Sequence, residues 1–374
     1  MNKKLLKYQL KDWLPLIGVI FIIFAVVILS NAFNYKIIDR YSYLPPEETK
    51  LQINQFPKLG IYNTPFLIVC AVMPLFALDY RFKHTQADTF YQLPFKEKEL
   101  KRTRLVLGLT ITLVLFTFFY WISILIFGIR YNNALLVENI DKNNEWHLIY
   151  SLPLYLTLII EGSALYFTSA FLVSLGNNTL DSIIYVLCGQ FILGLIIGSS
   201  YLFTNDIYNC ITGNDFKNIN LIIYGLSGIN VGNNIHFIFY NLINGMEITG
   251  LKDYIPSIIL LIVSLVFGIA AFTYMFIAEE PSGEYAGSIK KRYHWIKWLY
   301  YISFIIITYY TIRFNYYSTS YTIIIWLTIV YIGYYLLISV SNRSFKPTKQ
   351  DIIAFIVNTV FSIALFVILA IKQL

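Results

Sequence analysis

Nine largely apolar stretches of about twenty residues follow one another along the chain. They are Trp13–Phe33, Leu59–Leu78, Leu105–Phe127, Ser151–Leu175, Ser182–Phe203, Tyr254–Ile277, Trp298–Tyr316, Thr322–Ser341 and Ile352–Ile371. At about 1.5 Å per residue, a helix of that length crosses a ~30 Å hydrocarbon core. The pattern predicts an all-α polytopic membrane protein of about nine transmembrane helices. The polar stretches between the runs leave no room for a separate soluble domain. The longest, residues 204–253, is itself half apolar. Its run Ile219–Met246 suggests a further crossing, but Asn230, Asn233, Asn234 and His236 fall in the middle. An unpaired polar group in hydrocarbon costs a few kcal/mol, and a tenth crossing would export the basic cluster Lys290–Lys297. The expectation is a re-entrant or interfacial segment on the outer face, broken at Gly225, Gly228 and Gly232.

Charge sets the orientation. Only 13 % of the residues are charged, about half the share in soluble domains, which excludes a soluble globule and a disordered chain. The net charge of +7 would suggest nucleic acid in a soluble protein. Here the cations sort by side. With the amino terminus inside, the inner segments hold Lys3, Lys4, Lys7 and Lys11, seven between Arg81 and Arg104, four from Lys290 to Lys297, and three from Arg343 to Lys349. Together these are 18 of the 28. That bias follows the positive-inside rule, and basic inner segments also meet anionic lipid. The start of the chain resembles a signal peptide with a cleavage site near Ser30-Asn31-Ala32, but its apolar run exceeds the usual h-region. An uncleaved first span is expected. Asn2–Trp13 sets Leu5, Leu6 and Leu10 among four lysines, with Tyr8 and Trp13 as interfacial aromatics, which predicts a short helix on the inner leaflet.

Several chemistries are missing. There is no G-x-x-x-x-G-K-[ST] loop, no H-E-x-x-H and no G-x-S-x-G elbow. Cys70, Cys188 and Cys210 are too scattered for a disulfide framework or a zinc site. His84, His147, His236 and His294 lie in four separate loops without metal-ligand spacing. No metal and no catalytic residue is expected. Glu138, Asp141, Glu145 and His147 on the outer side offer acid–base groups for a lipid-linked substrate, although solvated loop charges are the stronger reading.

The inner loop 79–104 carries 11 charges of both signs in 26 residues, and Pro94 divides it. Tyr91, Leu93 and Phe95 form an apolar knob among those charges. That combination suits protein docking, with burial from the knob and register from the charges. It also suits an ordinary positive-inside loop. The pattern D-x-x-Y-x-L-P-x-x-x-x-x-L at Asp88, Tyr91, Leu93, Pro94 and Leu100 resembles the permease subunits of ABC-2-type transporters of low-GC Gram-positive bacteria. These commonly carry D-x-Y-x-S-L-P-[IV]-x-[RK] between their second and third helices. Gln92 stands where the family often has Ser, and Phe90-Tyr91 is a double aromatic. A second stretch, Glu284-Tyr285-Ala286-Gly287, resembles the family's R-x-x-E-x-A-G loop, with acidic Glu279 and Glu280 where a basic residue is usual.

The resemblance covers roughly residues 1–290. It implies that residues 1–278 form a six-helix ABC-2-type core, with an amphipathic N-terminal helix, the inner loop and the outer segment 204–253. Residues 279–297 form a cytoplasmic loop, and 298–374 add three helices beyond that core. Asp88, Tyr91, Leu93, Pro94, Phe95, Lys96 and Leu100 form the coupling element, and Glu284, Ala286 and Gly287 the second inner motif. The partners are a separate P-loop ATPase carrying ATP-Mg, a second permease chain in a homo- or heterodimer, and membrane lipids, with no nucleic acid. The resemblance implies a transport subunit with no cofactor of its own and no enzymatic activity in this chain. It sits in the plasma membrane with its amino terminus in the cytoplasm. The function implied is export of a peptide, a lipid-linked component or a hydrophobic compound.

Glu161, ten residues into the fourth run, lies near the bilayer middle, where a carboxylate costs about 2.5–3.5 kcal/mol unless paired, hydrated or protonated. It lines a transport path or makes a structural hydrogen bond to a neighbouring helix. Gly194 and Gly198, spaced G-x-x-x-G, allow close helix packing within the chain or at a dimer seam. The tyrosines near the ends of the seventh run, among them Tyr300 and Tyr316, fit interfacial belts. Two other readings stay open. One is a polytopic envelope enzyme acting on lipid-linked substrates through its outer loops. The other is a sensor or immunity membrane protein that transports nothing.

Overall fold

The structure is a computed structural model of the 374-residue chain. It describes residues 3–34, 38–40, 51–53, 60–82, 97–137, 151–176, 179–187, 189–190, 251–277, 296–315, 320–342 and 346–373. These are helical apart from one antiparallel pair of three-residue strands, β1 (Ile38–Arg40) and β2 (Leu51–Ile53), with Ile38 opposite Ile53. The chain divides into two compact units, Met1–Ala170 with Ser227–Thr273, and Phe171–Leu226 with Tyr274–Leu374.

The first unit opens with α1 (Lys3–Asp12), the expected amphipathic helix. Trp13 turns the chain with φ −91° and ψ 2°. Its N–H still donates to the Gln9 carbonyl at 3.0 Å, and its carbonyl accepts from Ile17 N–H at 2.9 Å. Pro15 lies in the first turn of α2 (Leu14–Phe24), where its missing N–H leaves no vacancy. A π-helical turn, Ala25–Leu29, follows and leads into α3 (Ser30–Asn34). The Ser30 hydroxyl donates to the Val27 carbonyl at 3.2 Å. Next come α4 (Gly60–Leu78), closed by a 3-10 turn over Asp79–Arg81, then α5 (Glu97–Val137), α6 (Leu152–Leu175) and α7 (Leu251–Ile277). α6 and α7 each end in the second unit.

Paired contacts fix the helix directions. Phe24 meets Phe116 at 6.3 Å between ring centroids, and further along both chains Arg130 Nη1 donates to the Ala32 carbonyl at 2.6 Å. The segment α2–α3 therefore runs parallel to α5. α4 runs against α5, with the Phe66 ring stacked 3.8 Å from Phe116 and Tyr80 beside Arg104. α6 also opposes α5: the Tyr166 hydroxyl donates to the Leu105 carbonyl at 2.7 Å, and the Tyr120 hydroxyl to the Ser151 carbonyl at 2.9 Å. α6 and α7 are parallel. The Ala164 backbone packs against Gly268, where a Cβ would lie 2.9 Å from its carbonyl oxygen, and Phe167 meets Phe272 at 4.9 Å.

Within the second unit, Phe171 meets Tyr274 at 6.2 Å. Among its described residues are helical residues 179–187 and three longer helices: α8 (Ile296–Asn315), α9 (Ser320–Asn342) and α10 (Lys349–Gln373). α8 and α10 are parallel, joined by Tyr301 to Asp351 at 2.8 Å and by Asn358 Nδ2 to Thr308 Oγ1 at 2.8 Å. α9 runs against both. Its Tyr334 ring stacks flat on Phe304 at 3.8 Å and meets Phe355 at 5.4 Å, while Tyr331 bonds Asn358 and Thr359.

The described helices overlie the apolar runs read from the sequence. The largest extension is in α5, whose 41 residues make it about 60 Å long. Among the described residues, two helices, Lys98–Asn133 and Tyr155–Leu175, are long and apolar enough to cross a membrane. Shorter apolar stretches lie at Leu14–Leu29, Pro65–Leu78, Ile262–Ile277 and Leu327–Leu336.

Outward faces are richly apolar, as with Val114, Phe118, Leu125 and Ile129 on α5 and Ile353, Val357 and Val360 on α10. Inward faces carry hydroxyls, among them Thr112, Ser123, Ser169 and Thr308. Many threonines satisfy their hydroxyl on the carbonyl four residues back, as Thr112 does on Gly108 at 3.0 Å and Thr308 on Phe304 at 2.8 Å. This lets a polar residue sit in an apolar layer.

Candidate functional site

The two segments that flank residues 83–96 meet α1 at one buried arginine. α1 ends at Asp12, the 3-10 turn after α4 carries Tyr80, and Arg104 lies in the third turn of α5. Arg104 is 4 % exposed. Its guanidinium lies 5.4 Å from the Trp13 ring centroid and 5.0 Å from that of Tyr80, and both rings are buried. Arg104 Nη2 also stands 3.7 Å from Asp12 Oδ2.

Magnitudes rank these contacts. Asp12 is half exposed and sits near the limit of ion-pair distance, so that pair contributes only a few tenths of a kcal/mol. Each cation–π contact contributes ~0.5–1 kcal/mol in water and about 2 when desolvated. Among these three contacts, the two rings outweigh the Asp12 carboxylate. Because they come from two different segments, Arg104 ties the end of α4 and the start of α5 to each other and to α1. Gln9, Leu100, Lys101 and Thr103 are buried in the same segments. The Thr103 hydroxyl bonds the Glu99 carbonyl at 2.7 Å.

Of the residues expected to form the coupling element, Leu100 is described, and it is buried in the first turn of α5. Asp88, Tyr91, Leu93, Pro94, Phe95 and Lys96 lie outside the described residues, as do Glu284, Ala286, Gly287, Gly194 and Gly198. Glu161 is half-buried in α6. The next residue, Gly162, packs against Phe66 and Cys70 of α4. Nothing in the sequence pattern joins Trp13, Tyr80 and Arg104 into one site. The available signal was one cation and two aromatics, each at the end of a different run, where interfacial side chains collect. No protein-family model, curated protein or solved structure matches this chain.

Proposed function

We propose that this chain is the membrane-spanning permease subunit of an ATP-driven ABC-2-type transporter, working as an exporter with a separate ATPase subunit. The observation that carries the proposal is the inner-loop pattern Asp88–Leu100, read with the clasp at its base. The loop's two stems are tied through Arg104 to each other and to the N-terminal helix. A pull on such a loop reaches three helices at once instead of bending one stem. That is what a docking element needs if it is to pass on work done by another chain.

The helix directions support a multi-pass arrangement, and the placement of the amino terminus inside rests on the distribution of cations. α2, α4, α5 and α6 alternate in direction, as consecutive crossings do, and so do α8, α9 and α10. α6 and α7 are parallel, which requires an odd number of crossings between them. This supports the nine-span count, in which the fifth run crosses and residues 204–253 stay on the outer side. The lipid-facing character of the outward surfaces agrees with it.

With no P-loop in the chain, ATP-Mg binds the partner, and closure of two ATPase subunits drives paired permease chains between inward- and outward-facing states. Substrate shifts that balance only through contacts that differ between the two states. The last three helices lie beyond the six-helix core.

The test is mild detergent extraction of the tagged full chain from its native membrane, followed by mass spectrometry of co-purifying proteins. A variant with Tyr91, Leu93 and Phe95 changed to Ala is run beside it. The expected result is a P-loop ATPase with the wild type that is lost from a folded triple variant. Extraction with no ATPase, under conditions that keep other transporter complexes intact, overturns the proposal.

A further inference from the structure

Helical register divides α1 into two opposed faces. Lys3, Lys7 and Lys11 recur every four residues, and Lys4 shares their side. Gln9 lies roughly 120–160° around the helix from all four. Gln9 and Trp13 are buried, whereas Lys7 and Lys11 are exposed. The face packed on the protein is therefore the one that holds Gln9, and Lys7 and Lys11 point away from it. Asp12, the one carboxylate of α1, is turned to Arg104. No acidic residue stands in the first turn to offset the stripe, and neither Lys7 nor Lys11 has an ion-pair partner among the described residues.

We propose that this stripe is a binding surface for anionic phospholipid headgroups and that, through Arg104, it sets how firmly the stems of the inner loop are held. The inference rests on the inside placement of α1 proposed above. A basic helix at the inner leaflet meets a negatively charged surface, and each lysine held there strengthens binding severalfold. Lipid bound to α1 opposes its lifting from the protein. The Trp13–Arg104–Tyr80 contacts carry that restraint into Asp79–Arg81 and the first turns of α5. The charge of the membrane then becomes an input to the element proposed to dock the ATPase.

The purified full chain is reconstituted in nanodiscs of phosphatidylcholine alone, or of phosphatidylcholine mixed with phosphatidylglycerol. Amide hydrogen exchange is followed over α1, over Asp79–Phe82 and over the start of α5. In wild type, phosphatidylglycerol slows exchange in all three segments by about tenfold, and high salt abolishes the difference. The K3Q/K4Q/K7Q/K11Q variant, which removes the whole stripe, shows no lipid dependence anywhere. R104Q keeps the response in α1 and loses it in both stems. Equal wild-type exchange in the two lipids overturns the proposal, as does a response that survives in K3Q/K4Q/K7Q/K11Q or in the stems of R104Q. The salt arm needs no variant, so a folding defect cannot mask the answer. A chain that retains its ATPase partner but ignores lipid charge sinks this inference and leaves the transport proposal standing.

Discussion

Gly162→Ala adds one methyl group where α6 crosses α4, and the surroundings decide its cost. A Cβ there would fall on Phe66 Cε1, 2.5 Å from Cζ and 3.1 Å from Cys70 Sγ. Phe66 has nowhere to go. It is fully buried, and its ring stacks on Phe116 at 3.8 Å and 19°. Phe116 is itself buried, with Phe24 at 6.3 Å and Tyr120 at 5.6 Å. Overpacking a core of this kind costs about 1–3 kcal/mol, and contact with two ring carbons puts this site at the upper end. Ala gains about 1 kcal/mol over Gly in a helix, so the net loss is about 1–2 kcal/mol. The apparent Tm in detergent should fall by roughly 2–8 °C, at about 2–4 °C per kcal/mol. The double variant with Phe66→Leu decides the cause. With the ring gone, the same methyl should be neutral or stabilising, because only the helix gain remains. A Gly162→Ala chain that melts at or above wild type, with Phe66 present, would refute the packing argument.

Substitutions at and around three buried polar groups test their contacts. Asp351 accepts from the Tyr301 hydroxyl at 2.8 Å, the Thr348 N–H at 2.7 Å and the Thr348 hydroxyl at 2.6 Å. Asp351→Ala should therefore cost about 2–4 kcal/mol, against about 1 for Tyr301→Phe, as read by thermal melts. Asn358 is fully buried, and its Oδ1 has no partner among the described residues. Asn358→Leu should stay within about 1 kcal/mol of wild type, whereas Asn358→Asp, which buries a charge, should fail to accumulate in the membrane. Arg104→Gln should cost about 2–3 kcal/mol through the two ring contacts, and Asp12→Asn only a few tenths. Equal losses for these two would make the carboxylate the anchor.

The helices were legible because apolar runs of spanning length leave few alternatives, and α4 (Gly60–Leu78) matches its run to within a residue. Hydropathy registers the surrounding solvent, however, and not the backbone. It stopped at Leu105 and Phe127, whereas α5 keeps its helical bonds through the polar residues from Glu97 to Val137. The strand pair at Ile38–Arg40 and Leu51–Ile53 was invisible for a related reason: three residues are too few for a period to show. The clasp at Arg104 escaped because Trp13, Tyr80 and Arg104 are far apart in the chain, and only the folded directions of α2, α4 and α5 bring their ends together. The inner-loop motif had the opposite fate. It is legible as a pattern of residue types, while its geometry lies outside the described residues.

The π-helical turn at Ala25–Leu29 bears on how this chain tolerates changes of length. Such a turn holds one residue more than an α-helical turn over the same rise, so it absorbs an insertion without rotating the helix beyond it. Upstream, Phe21 and Phe24 keep their places against Phe119 and Phe116; downstream, Ala32 keeps its carbonyl on Arg130. Deleting one residue between Ala25 and Leu29 should leave an ordinary α-helix with both ends still in register. The same deletion a turn earlier would swing Phe24 out of the aromatic stack. Descendants of one ancestor can thus differ by a single codon here and keep the same fold, making this turn a place where natural length variation is expected to collect.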